Sequence, residues 1–164
     1  AASDVYKRQE YDYPADQMLV SMTDTKGVIT HCNHAFVETS GYTYEELIGQ
    51  PHNLVRHPDM PPAAYKDMWQ TIGHGHPWTA LVKNRRKNGD HYWVQANVTP
   101  ILENGKPKGY MSVRIKPSRQ DVAAAEALYA QMRQEAQSGR TTLHLRGGEL
   151  RYGCLLYTSP SPRD

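Results

Sequence analysis
His52, Arg56, His57 and Asp59 crowd into the stretch Gly49–Pro62, interleaved with Leu54, Val55 and Met60. An arginine fork can grip a phosphate or a carbonyl, a carboxylate accepts from a hydroxyl or a ring N–H, and an imidazole can donate or accept. Pro51, Pro58, Pro61 and Pro62 bound and divide the stretch. Each removes a backbone donor and pushes its predecessor toward extended geometry, so only about one turn of helix fits, around Asn53–His57. Titratable and apolar groups mixed on such a segment suit a polar ligand pocket. The plainer reading is a solvated connector, and the flanking sequence decides between the two.

Other groupings carry less. His31 with His34, and His74 with His76, lack a third ligand at useful spacing, so no metal site is expected. Arg85, Arg86 and Lys87 near Tyr92 and Trp93 could suggest nucleic acid, but the charges do not continue along the strand. A solvated turn explains them better. Ser40 and Cys32 have no evident base or orienting carboxylate, so nucleophilic catalysis has no support and a binding module, not an enzyme, is expected.

The two ends are expected not to be native sequence. Ala1–Gln9 (AASDVYKRQ) and Cys154–Asp164 (CLLYTSPSPRD) have coding strings that form an inverted repeat over part of their length, and both resemble translated adapters from transposase-based sequencing libraries. They are set aside from fold reasoning, and deleting them is expected to change stability by less than about 0.5 kcal/mol. The remaining chain fits a single domain with a real core. Net charge is +2, and +1 without Lys7, Arg8, Arg163, Asp4 and Asp164, which argues for neither nucleic acid nor a membrane surface. No run approaches the roughly 18 apolar residues of a membrane span. Cys32 is the one cysteine outside the excluded ends, so a reducing compartment is expected.

The elements that must position the stretch follow in order. Met18–Asp24 and Val28–Cys32 read as a hairpin around Thr23–Gly27. Asn33 stands where a helix N-cap belongs and Gly41 where that helix ends, while Thr43 with Glu46 forms a capping box for a second short helix. Pro61 or Pro62 opens another helix, with Ala64, Tyr65, Met68, Trp69 and Ile72 at helical spacing. The period then changes. Trp78, Ala80 and Val82 alternate with Thr79, Leu81 and Lys83, and strands over Tyr92–Leu102 and Tyr110–Ile115 complete an antiparallel meander. After Pro117 an amphipathic helix runs from Arg119 to about Gln137.

This order of elements is α+β. From about Met18 to Pro117 the chain resembles a PAS domain, and more narrowly the flavin-binding PAS domain of bacterial aerotaxis receptors. Ile29-Thr-His-Cys-Asn33, Ser40-Gly-Tyr-Thr-Tyr-Glu-Glu-Leu47 and Gly109-Tyr-Met-Ser-Val-Arg114 carry it in general terms. The proline-bounded stretch and Val82-Lys-Asn-Arg-Arg-Lys-Asn-Gly-Asp-His-Tyr-Trp-Val94 carry it specifically. The resemblance implies a PAS fold, a five-stranded antiparallel sheet with short helices over one face, followed by the C-terminal amphipathic helix. It implies residues 10–17 as an N-terminal segment, 18–117 as the PAS domain and 118–153 as a helical output linker, cut short. It also implies non-covalent FAD, a redox or oxygen sensory role, a downstream signalling region, a possible PAS–PAS dimer and no nucleic acid. The domain would be cytoplasmic and the full-length receptor anchored in the inner membrane. Light-sensing relatives carry a cysteine in the proline-bounded segment, and this chain has none there, so adduct photochemistry is not expected.

By the same resemblance Arg56, His57 and Asp59 lie at the flavin cleft, with His52 beside them. Asn33 would be both helix cap and cofactor neighbour. Trp69 reads as core on spacing alone and as a pocket wall by resemblance, with Trp78 opening the next strand. Asn84 could read a flavin edge or cap a turn. Reduction turns the flavin N5 from acceptor into donor, and an amide offers both functions, which makes Asn84, with Asn97 as the alternative, the candidate there. The rivals are a haem PAS domain with His57 or His52 as axial ligand, and a cofactor-free interaction domain. A visible spectrum separates the three.

Overall fold
Alternation over Trp78–Arg85 sends Trp78, Ala80, Val82 and Asn84 to one side of a strand, all four buried. In the computed structural model, which describes residues 9–152, five strands of this kind form an antiparallel sheet. They are β1 (Leu19–Asp24), β2 (Ile29–Cys32), β3 (Trp78–Arg85), β4 (His91–Glu103) and β5 (Lys106–Ile115), in the order β2-β1-β5-β4-β3. Register sets Asn84 opposite Tyr92, Val82 opposite Val94, Ala96 opposite Arg114 and Val98 opposite Ser112. With a side-chain period of two, these residues share one face.

That inner face is covered by α1 (His34–Ser40), α2 (Tyr44–Leu47), the single 3₁₀ turn His52–Val55 and α3 (Pro62–Gly73). Asn33 caps α1 by accepting from the Phe36 N–H, and Gly41 closes it at φ 77°. Thr43 and Glu46 form the capping box of α2 reciprocally, at 3.0 and 3.1 Å. Phe36, Leu47, Val55, Ala64 and Ile72 bury against the sheet. The α+β architecture and the helix boundaries follow the sequence closely.

The outer face belongs to α4 (Arg119–Ser138), which buries Val122, Ala125, Tyr129 and Met132. Tyr129 stacks on Trp93 at 6.3 Å between ring centroids and donates to the Leu81 carbonyl at 2.6 Å. Among the described residues no helix is long and apolar enough to cross a membrane.

Two expectations about the flanks need revising. Residues 118–153 are not helical throughout: α4 stops at Gly139, in the left-handed region at φ 75°, and a hairpin of β6 (Leu143–Arg146) and β7 (Glu149–Tyr152) follows. Its Gly147-Gly148 turn has φ of 63° and 88°, a conformation open to glycine at little cost. A Cβ at Gly148 would collide with the Thr79 carbonyl, so the turn sits directly on β3. At the other end, Gln9 is not idle, because its carbonyl accepts from the His91 N–H at 2.9 Å. The rest of Ala1–Gln9, and all of Cys154–Asp164, lies outside the described residues.

Candidate ligand-binding cleft
The proline-bounded stretch crosses the inner face from one edge strand to the other. At its start Val28 bridges to Pro51, and the His52 N–H donates to Gly27. At its end Arg56 bridges to Asn84 on β3, and the Lys83 N–H donates to the Met60 sulfur at 3.3 Å. Extended geometry at Pro51 and Arg56 flanks the 3₁₀ turn, so the backbone at the two ends of the segment meets the two edges. Between this strap, α3 and the sheet lies a cleft of about 300 Å³, at the lower end of the roughly 300–1,000 Å³ usual for small-molecule sites.

Of the residues expected at a ligand site, His52, Arg56, Trp69, Trp78 and Asn84 line this cleft. Trp78 is wholly buried, its indole N–H donating to Asp67 at 2.7 Å. Trp69, core by helical spacing, is instead 39% exposed at the rim. It meets Tyr110 edge-on at 5.7 Å and overhangs Gly27, where a Cβ would stand 3.1 Å from the indole. Arg56 lies over the Tyr65 ring at 3.6 Å. Asn84 is buried, with its amide beside the Tyr92 hydroxyl.

The remaining four are not among the lining residues. Asn33 spends its amide on backbone, accepting from Val20 and Phe36 and donating to the Met18 carbonyl. His57 accepts from the Asp59 N–H at 3.0 Å and meets His91 edge-on. Asp59 pairs with Lys83 at 2.9 Å, and its carbonyl accepts from Arg133 of α4. Asn97 is exposed and donates to Thr79 on the outer face, at 2.9 Å.

Sequence reasoning passed over three residues. Arg114, on the central strand β5, is 4% exposed and lines the cleft floor. A charged residue in a strand reads as solvent-facing, and only the alternation with Tyr110 and Ser112 could have turned it inward. The Ser112 hydroxyl is buried in the same floor, without a hydrogen-bond partner among the described residues. Asp67, buried on α3, accepts from Trp78 and from the Gly147 and Gly148 N–H groups at 2.9 and 2.7 Å. Nothing in its local sequence marks it.

The electrostatics have one sign. Lys26, Arg56 and Arg114 line the cleft, running from the exposed rim to the buried floor, and among the described residues no carboxylate lines it with them. His52 adds no charge: burial, then the Arg114 guanidinium, hold its pKa down to about 3. Its Nε2 accepts from Arg114 at 2.7 Å and faces the Ser21 hydroxyl at 3.0 Å. The cleft is aromatic and aliphatic at its walls and cationic along its length, with spare polar capacity at Asn84 and Ser112. Such a site suits a flat ring carrying carbonyl groups and an anionic tail.

The basic run beyond Asn84 is structural. Arg86 donates to the Thr39 and Glu38 carbonyls at 2.7 and 3.2 Å, and Lys87 pairs with Glu46. These contacts clamp the β3–β4 turn onto α1 and α2.

Residues 29–114 match the family described as the PAS fold. The chain is 53% identical over 133 residues to the aerotaxis receptor of Escherichia coli K12, covering 81% of this chain and 26% of that protein. It thus spans about a quarter of the receptor's length. It is 31% identical over 96 residues to the nitrogen fixation regulatory protein of Klebsiella pneumoniae, covering 58% of this chain and 19% of that one. A light-oxygen-voltage domain studied with a flavin analogue superposes with a TM-score of 0.60 at 22% identity, covering 73% of this chain and 89% of that one. The dark structure of the Aureochrome1 blue-light photoreceptor domain gives 0.60 at 20% identity, over 79% and 97%. At such identities these two likenesses concern the fold.

Proposed function
The chain belongs to the PAS fold family, and from that membership we propose that its cleft holds FAD non-covalently, as the redox-sensing input site of an aerotaxis-type receptor. One observation carries the reading: among the described residues, three cations and no carboxylate line a cleft with aromatic walls. The volume suits a flavin ring system, with the remainder leaving past Arg56 and Lys26, where a diphosphate would meet two cations. Asn84 and Ser112 would serve the ring edge, and Tyr65, Trp69 and Trp78 its faces. A bound flavin supplies a reversible redox centre whose N5 accepts a hydrogen bond when oxidised and donates one when reduced. The amide of Asn84 can turn to suit either state.

The identity with the aerotaxis receptor supports this choice. A haem finds less support, because the His52 Nε2 is already engaged by Arg114 and His57 does not line the cleft. His57 and Asp59 would act indirectly, holding the strap against Lys83 and Arg133, and Asn33 would hold α1 to β1. No catalytic step is assigned. On this reading residues 18–117 are the sensory domain, facing the cytoplasm in a receptor anchored in the inner membrane. Residues 118–153 begin the output region, and the exposed Met111 and Ile115 of the outer face are where a second PAS domain would dock.

The test is the visible spectrum of the purified protein and the identity of the released chromophore. Flavin bands and FAD are expected. Arg56→Ala should weaken FAD binding about ten- to a hundredfold, the worth of a charged hydrogen bond of roughly 1.5–3 kcal/mol. A Soret band, or a colourless protein that takes up no added FAD, would overturn the reading.

A further inference from the structure
Arg114 is the one guanidinium in the cleft that is buried outright, at 4% exposure. Its Nη2 donates to Ser21 at 2.9 Å and to the His52 Nε2 at 2.7 Å, and its Nη1 reaches the Leu19 carbonyl at 3.5 Å. The charge also lies 4.9 Å from the centre of the Phe36 ring. Every one of these partners is neutral. The titratable groups that act most on it are Tyr92, Tyr65, Tyr13 and Cys32, and none is a carboxylate. Burial brings its pKa down to about 10, so it stays charged at neutral pH. The acids of the flanking elements are paired elsewhere: Asp59 with Lys83, Glu46 with Lys87, Asp12 with Lys116 and Glu10 with Arg119.

A buried charge is ordinarily paired, because an isolated one loses its hydration without recompense. Among the described residues Arg114 has no such pair, and beside it on the same strand and face the Ser112 hydroxyl has no hydrogen-bond partner. Both open onto the cleft floor. A ligand that is apolar throughout would leave this floor uncompensated, whereas an anionic or electron-rich edge would complete it.

We propose that Arg114, with Ser112, is an anion-recognition subsite at the cleft floor, and that it favours the ligand form carrying negative charge at that end. The identity of the ligand rests on the flavin reading. A flavin gathers negative charge along its pyrimidine edge when the reduced ring is deprotonated. A guanidinium placed there binds the charged reduced form more tightly than the neutral oxidised one, and by linkage raises the reduction potential. Arg114 is then a potential-setting residue as well as a binding one.

Arg114→Met and Arg114→Lys test this in two ways. In the ligand-free protein, Arg114→Met should melt at the same temperature as the parent or higher, since an uncompensated buried charge is removed. In titrations with FAD it should bind at least tenfold more weakly than the parent, and its dye-equilibrated potential should be more negative. Arg114→Lys, which keeps the charge without the fork, should fall between the two. A clear drop in the melting temperature of ligand-free Arg114→Met would overturn the proposal, because Arg114 would then serve the fold through Leu19 and Ser21. Unchanged FAD affinity and potential in a stable Arg114→Met would also overturn it, while leaving the flavin reading intact. If the parent protein takes up no FAD, the flavin reading fails instead. The ligand-free melting comparison then still decides whether the charge is kept for the fold or for a ligand.

Discussion
His52 is held neutral by its neighbours. Protonation would press a second cation against Arg114, and burial adds to that cost, so its pKa drops to about 3. Burial first, then Lys83, hold His57 down to about 4. In the unfolded chain both return toward about 6.5. Between that value and the folded ones, the unfolded state binds more protons than the folded state. Stability therefore rises with pH across the window and falls on acidification from about 6.5 toward 4 and 3. Asp59, lowered chiefly by its hydrogen bond to Lys83, loses its contribution only further down, as pH falls through its depressed value. Urea midpoints should thus drop between pH 7 and pH 5, and His52→Asn should flatten that drop. An equal drop in His52→Asn would show that His52 is not the group responsible. At this scale the proline-bounded motif pointed to His52 and Arg56, and the resemblance to Trp69, Trp78 and Asn84, all five of which line the cleft. Arg114 and Asp67 were not, because a charge inside a strand or an amphipathic helix reads as solvated until its neighbours are known.

The strap Gly49–Pro62 and the C-terminal hairpin both converge on the edge strand β3. The strap passes from the cleft, at Arg56, round the edge to Asp59, where Lys83 and Arg133 of α4 hold it. The hairpin reaches β3 at Thr79 through the glycine turn, and Asp67 takes both glycine N–H groups while also holding Trp78. Prolines and capping residues made the strap and the short helices readable, since their signals are local. The hairpin was missed for the opposite reason. Gly147-Gly148 between Leu143, Leu145 and Leu150 is a hairpin signal, but the segment is polar, and distant Asp67 is what docks it. Asp67→Asn turns one accepting oxygen into a donor that faces donors, costing roughly 1.5–3 kcal/mol for each charged hydrogen bond lost. Hydrogen exchange should accelerate over residues 143–150 in that variant, while the centre of β4 and β5 remains protected. Unchanged protection over 143–150 would show that the hairpin is held by something other than Asp67.

Across the whole molecule, the inner face of the sheet carries the cleft and the outer face carries α4, and output from the cleft can pass through or around β3. Three physical links do so. Asn84 lines the cleft and pairs with Arg56 of the strap, whose far end meets Arg133 of α4. Trp78 lines the cleft and shares Asp67 with the hairpin turn. Leu81, facing outward on the same strand, accepts from Tyr129. A ligand shifts such a network only as far as it interacts differently with two states. On the flavin reading that difference arises at Asn84 and Arg114 on reduction, and a coupling of about 1–3 kcal/mol would suffice to bias a receptor. The strand would move as a unit, because a sheet edge with few neighbours opens more readily than the centre. Hydrogen exchange compared between oxidised and dithionite-reduced holoprotein should therefore differ over β3, the strap, the second half of α4 and residues 143–152. The β1–β2 hairpin, on the opposite edge, should change least. Equal exchange over α4 and the C-terminal hairpin in both states, with FAD bound and its reduction seen in the spectrum, would leave β3 without a signalling role and place the output elsewhere.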